Sequence, residues 1–131
     1  MALDSGAGEL LARFITQKSY FRPSDKTVKH SAFMPPATGR LSVYQIWSLS
    51  DPDIWDIGER YVAPLLAMPL LGRADFNSLR CYECGLRVEP TPTPHPRHAN
   101  VVGWDSTNTE TRLIAIKLAR QATLKLLPPR V

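Results

Sequence analysis

A chain of 131 residues, 44% hydrophobic and 21% charged, has the make-up of one soluble globular domain large enough to bury a core without staples. Its net charge of +4 is mildly basic, and a balance of that size is more often a solvated face than a nucleic-acid footprint. Two cysteines exclude a disulfide framework, and no apolar run approaches a signal sequence or a membrane span, so a cytoplasmic protein without membrane contact is expected.

Asp4 or Ser5 is placed to cap a short helix in which Leu10, Leu11, Phe14 and Ile15 pair at i, i+4 spacing, although Gly6 and Gly8 weaken its first turn. Ser19 to Arg22 reads as a brief strand closed by Pro23 and the turn-forming PSDK. Val28 to Met34 reads as a second extended piece running into the loop PPATG. Between Lys18 and Arg40 the chain carries Lys18, Arg22, Lys26, Lys29 and Arg40 against Asp25 alone, so one surface is expected to be positive.

From Leu41 to Val62 the local instructions are clearest. Leu41, Val43, Gln45 and Trp47 alternate with Ser42, Tyr44, Ile46 and Ser48, and large apolar groups on both sides point to an interior strand. Ser50 then stands as a helix N-cap, with Asp53 placed as in a capping box and Pro52 tolerated in a first turn whose N–H groups have no intrahelical partner. Ile54, Trp55, Ile57, Gly58, Tyr61 and Val62 form the stripe that lays this helix on the sheet, and Pro64 ends or kinks it. The acidic Asp51, Asp53 and Asp56 are explained by the helix dipole without a divalent metal.

A short strand is expected around Leu70 to Ala74, then a short helix capped by Asp75 or Asn77 that runs through Leu79 and Cys84 and stops at Gly85 in a left-handed conformation. Leu86 to Glu89 resumes an extended course. Pro90, Pro92, Pro94 and Pro96 fix φ at every second residue, which favours a stiff polyproline II connector along the surface. ANVVGW, Ala99 to Trp104, is the next strand, with Gly103 marking a bulge or a close backbone approach. Thr107 and Glu110 form a capping box for a last helix with Leu113, Ile114, Ile116, Leu118, Ala119 and Ala122 on its apolar face, and Leu124 to Leu127 is a terminal strand. Strands interspersed with three helices make residues 1–131 a single compact α+β domain with a mixed, mainly antiparallel sheet on which the helices pack.

Two segments, SAFMPPATGRLSVYQIWSLS at Ser31 to Ser50 and PHPRHANVVGW at Pro94 to Trp104, resemble small bacterial proteins of uncharacterised function. Those proteins share an AF-x-P, LSV-x-R core and a later P-x-HA-x-I-x-G pattern, matched here by Ala32, Phe33, Pro35, Leu41, Ser42 and Val43, then Pro96, His98, Ala99 and Gly103. Gln45 replaces the basic residue usual after LSV, and Val101 holds the apolar position after HA. The resemblance implies a one-domain bacterial protein and supplies no reaction.

Cys81-x-x-Cys84 followed by His95-x-x-His98 offers four ligand types that zinc accepts in a tetrahedral site. The tight histidine spacing, the intervening prolines and the lone CxxC favour instead two cysteines on a short helix, so no cofactor is expected and zinc is the alternative. His98, at a loop-to-strand junction, can exchange a proton near neutral pH or simply fix that junction through backbone hydrogen bonds. Ser42 is a nucleophile candidate if the fold joins it to His98 and Asp105, although no G-x-S-x-G elbow presents it. Tyr20 and Phe21 among basic residues have the stacking-and-charge mixture of a single-strand binder, without a nucleic-acid-binding motif.

The sequence therefore favours a binding or accessory module that recognises a protein partner or an anionic small ligand through a basic loop face of Arg22, His30, Arg40, Arg97 and His98. The alternative is a small enzyme acting on a phosphate- or nucleotide-containing substrate, with His98 as acid/base and Ser42 beside it.

Overall fold

Leu10 to Ile15 is a strand in the computed structural model, which describes residues 8–104 and 107–129. This corrects the expected N-terminal helix, whose proposed cap at Asp4 or Ser5 lies outside the described residues. The cause is position. This strand, β1 (Leu10–Ile15), lies between two others, so Leu11 and Ile15 enter the core on one face while Ala12 and Phe14 enter it on the other. A strand buried on both sides loses its polar alternation and resembles helical spacing.

Along the chain follow β2 (Phe21–Arg22), β3 (Thr27–Val28) and β4 (Leu41–Gln45), then α1 (Asp51–Ile57), a π-helical turn (Gly58–Val62) and α2 (Ala63–Leu66). After them come β5 (Gly72–Asn77), α3 (Ser78–Glu83), β6 (Arg87–Pro90), β7 (His98–Val102), α4 (Asn108–Gln121) and β8 (Thr123–Leu126). Six strands form one sheet in the order β6-β7-β4-β1-β5-β8, every pairing antiparallel, and β2 and β3 form a separate ribbon. With the α1–π–α2 segment counted as one helix, this is the α+β architecture with about three helices.

One face of the sheet buries Leu11, Ile15, Leu41, Val43, Ala74, Phe76, Ala99 and Val101 with Phe33 and with Ala115, Leu118 and Ala119 of α4. Phe33 and Phe76 meet edge to face at 5.0 Å. The buried stripe of α4 is narrower than its apolar residues suggest, since Leu113 is exposed. The opposite face carries Ala12, Phe14, Tyr44 and Ile46 under Ile54, Ile57 and Leu70. Caps behave as the sequence asks: Ser50 Oγ accepts from Asp53 N–H at 3.3 Å, Asn77 Oδ1 from Leu79 N–H at 2.9 Å, and Thr107 Oγ1 from Glu110 N–H at 3.3 Å.

Some expectations change. Val28 to Met34 is extended only at its start and turns through a 3-10 helix at His30–Phe33. β4 stops at Gln45, leaving Trp47 half-exposed, because the chain turns there, with Leu49 N–H donating to Ile46 O. Pro64 does not end the helix. It cannot donate a hydrogen bond, and the wider π turn just before it absorbs the interruption. The proline run is not a straight connector either. Residues 91–97 are the loop of the β6–β7 hairpin, and Thr91 N–H donates back to His98 O at 3.0 Å.

Candidate functional site

β1 and β4 stay in register for two pairs, Leu11 with Gln45 and Ala12 with Tyr44, whereas β1 and β5 run together along their whole length. Past Tyr44 the guanidinium of Arg13 fills the widening gap, donating from Nη1 to Ser42 O at 3.0 Å and from Nε to Ala32 O at 2.8 Å. A cleft of about 560 Å³ opens at this fork. Phe14, Tyr44, Tyr61 and Val62 form its floor and one wall, Met34, Pro36 and Pro94 line it further, and Leu65, Leu66 and Met68 of the α2 segment form its lip. Its polar lining is Arg13, Thr16, Gln17, Tyr20, Ser42 and His98. Burial pushes the Arg13 guanidinium below its ordinary pKa, and among the described residues no carboxylate lies within 4.0 Å of it.

Ser42 and His98 meet because β4 and β7 pair, with Tyr44 opposite His98 and Ser42 opposite Asn100. Ser42 Oγ lies 2.7 Å from His98 Nε2. On the other side of the ring, Nδ1 is 2.7 Å from Thr91 Oγ1 and 3.1 Å from Thr91 O. The Thr91 hydroxyl, the nearer of the two, can either donate to Nδ1 or accept from it, whereas a carbonyl oxygen only accepts, so the carbonyl contact favours the tautomer with the proton on Nδ1. Nε2 is then the acceptor for the Ser42 hydroxyl. Burial pushes the His98 imidazole below its usual pKa, against the smaller opposing pull of the hydrogen bond to Thr91 O. The neutral ring packs edge to face on Tyr44 at 5.2 Å.

His95 stands beside this pair, its ring 4.8 Å from Tyr61, and its Nδ1 accepts from Arg97 N–H at 3.0 Å. Its pKa is also lowered, first by burial and then by the Arg97 charge, with Asp56 pulling the other way. Arg97 itself donates to Gln45 O at 3.4 Å and Trp47 O at 3.2 Å and lies over the Trp47 ring, so it holds the β4 end.

The basic set therefore does not gather around the cleft. His98 is on its lining, but Arg22 on β2, His30 at its 3-10 turn, Arg40 before β4 and Arg97 are not among the lining residues. Arg22 and Arg40 are exposed and His30 is half-buried. Phe21 is core, while Tyr20 faces the cleft. Asp105, considered as the orienting acid for Ser42 and His98, lies outside the described residues. Thr91 occupies the Nδ1 side of the ring.

The four-ligand zinc set, Cys81, Cys84, His95 and His98, is not assembled. Cys81 sits in the core with Ala99 and Val101, whereas both histidines pack against Tyr44, whose side chain belongs to the other face. Burial pushes the Cys81 thiol up to about 12, which disfavours the thiolate a metal needs. Among the described residues no group of three His, Cys, Asp or Glu side chains is arranged to hold a metal ion.

Sequence reasoning missed Arg13, Thr91 and the Leu65–Leu66 lip. A single arginine in an apolar run, L-L-A-R-F-I, was the available signal for the first, because a charge in a doubly buried strand needs a special environment. No protein-family model, curated protein or solved structure matches this chain.

Proposed function

We propose that the protein is a cytoplasmic binding module for an amphipathic small anion, its acidic head at the Arg13 guanidinium and its apolar body against Tyr61, Val62, Leu65, Leu66 and Met68. The observation that carries this reading is a largely apolar cleft of ligand size in which the Arg13 guanidinium, bonded to the Ser42 and Ala32 carbonyls and to the Tyr20 side chain, has no carboxylate within 4.0 Å among the described residues. An anionic head gains a charge-assisted hydrogen bond there, while the exposed Leu65 and Leu66 gain a cover. Both segments that resemble uncharacterised bacterial proteins contribute, the first through Met34, Pro36, Ser42 and Tyr44 and the second through Pro94 and His98. This moves recognition from the basic loops into the sheet fork. A phosphate-rich nucleotide fits less well, since among the described residues Arg13 is the only Arg or Lys on the lining and no glycine lines it.

Titration with hexanoate, octanoate and decanoate, followed by calorimetry, tests the reading. Each methylene buried against the lip is worth about 0.8 kcal/mol, so affinity should tighten about fourfold per added CH₂ until the cleft is filled. Replacing both Leu65 and Leu66 by Asp, at exposed positions where the fold tolerates charge, should flatten that series. No saturable binding of decanoate at millimolar concentration would refute it.

A further inference from the structure

The cleft has a reactive arrangement that binding alone does not require. From the contact of Ser42 Oγ with His98 Nε2 at 2.7 Å, inside a cleft with an apolar wall and Arg13 on its lining, we propose that Ser42 is a nucleophile for acyl transfer from medium-chain carboxylic esters. The proposal rests on the cleft holding an acyl chain, as argued above.

Each part of the chemistry has a place. With Nδ1–H held against Thr91 O, Nε2 is bare and directed at the hydroxyl, which is the tautomer a general base needs. Partial burial lowers the imidazole's pKa, which favours the neutral ring over the imidazolium. Ser42 is not on a strained elbow. It is presented by the parting of β1 and β4, and Arg13, whose Nη1 donates to the main-chain carbonyl of Ser42, lines the same cleft as a cation for the negative charge that develops. Thr16 and Gln17 add neutral hydrogen-bonding groups to the same lining. A cross-strand hydrogen bond that only fixed β4 to β7 would call for none of this on a cleft wall.

The step balances with water as the sole co-reactant. Ser42 Oγ forms a bond to the ester carbonyl carbon while its proton passes to His98 Nε2, and the carbonyl oxygen takes up the negative charge. Collapse of that oxyanion breaks the bond to the alcohol, which leaves with the proton from Nε2. Water then gives a proton to Nε2 and attacks the acyl carbon; the bond from that carbon to Oγ breaks, Oγ takes the proton back from Nε2, and the carboxylic acid leaves.

The test uses the full chain with 4-nitrophenyl octanoate. The expected result is a burst of 4-nitrophenolate and an octanoyl group located by mass spectrometry on the peptide containing Ser42. Ser42→Ala should abolish the burst, and His98→Gln should slow acylation by about 10²-fold or more. The adduct is located in the unaltered protein, so the outcome stands even if a variant does not fold. An acyl group on any other residue, none at all, or an undiminished burst in Ser42→Ala overturns the proposal. Octanoate binding without acylation of Ser42 overturns the catalytic proposal alone, whereas failure of octanoate to bind overturns the binding reading beneath it.

Discussion

Replacing Arg73 by methionine removes the one charge that is most completely enclosed. Its side chain is 1% exposed. Nε donates to both oxygens of Asp75, at 3.0 and 3.3 Å, Nη2 reaches Asp51 at 2.6 Å, and the guanidinium lies 4.5 Å from the centre of the Trp55 ring. Methionine keeps the volume and drops the cation, leaving the buried Asp75 with Lys125 Nζ at 3.8 Å. Breaking a buried pair from one side costs about 3–5 kcal/mol, mostly for the stranded partner. Burial already pushes the Asp75 carboxyl above its ordinary pKa against the pull of Arg73, so losing Arg73 shifts it further towards the protonated form, which places the cost near the lower end. Asp51 shows the opposite direction, lowered first by the Arg73 hydrogen bond and then by its charge, because it is exposed and loses little hydration. Losing Asp51 should therefore matter far less, about 0–1 kcal/mol. Arg73 Nη1 is buried and makes no hydrogen bond among the described residues, so the intact pair is itself imperfect. The double variant Arg73→Met, Asp75→Leu should accordingly recover most of the loss. Urea unfolding followed by tryptophan fluorescence measures Arg73→Met, Asp75→Leu, the double variant and Asp51→Ala. A cost below about 1 kcal/mol for Arg73→Met, or additive costs in the double variant, would refute the reasoning.

Gly58→Ala should destabilise the protein although alanine is the better helix former by about 1 kcal/mol. A Cβ there meets Phe14 at 2.7 and 2.8 Å and Leu70 at 2.9 Å, all in a packed cluster, and overpacking of that kind costs about 1–3 kcal/mol. A melting temperature raised by the substitution would contradict this. The pKa values of His95 and His98 are both lower in the folded chain than the ordinary 6.5, so the native state binds fewer protons. Their contribution to stability is complete above 6.5 and is lost as pH falls through the lower folded values; His98→Gln should reduce that loss, as read from melting temperature against pH. Added zinc, or a chelator, should leave the melting temperature unchanged, since Cys81 and His98 lie on opposite sides of the sheet; a zinc-dependent rise of several degrees would show otherwise.

Capping residues and turn chemistry were readable because they act locally. Ser50, Asn77 and Thr107 cap as their side chains dictate, and Gly85 takes a positive φ beyond α3. β1 was not readable, because its identity depends on what covers it: Leu11, Phe14 and Ile15 satisfy helical spacing and a doubly buried strand equally well. The site was half legible. Ser42 and His98 attracted attention as residue types, but their meeting depends on the β4–β7 register, a pairing across 56 positions. The basic loops misled for the opposite reason: charge density in sequence does not report convergence in space, and Arg97 spends its donors on backbone carbonyls. Arg13, a single charge in an apolar run, turned out to shape the cleft.

The state of the His98 ring decides most directly whether the fork is poised as described. Side-chain ¹⁵N NMR of the full chain at neutral pH should show a neutral imidazole with its proton on Nδ1, Nε2 bare, and a titration midpoint below 6.5. A proton on Nε2, or a midpoint above 6.5, would contradict the neutral ring with a bare Nε2 on which activation of Ser42 depends, and the nucleophile would not stand.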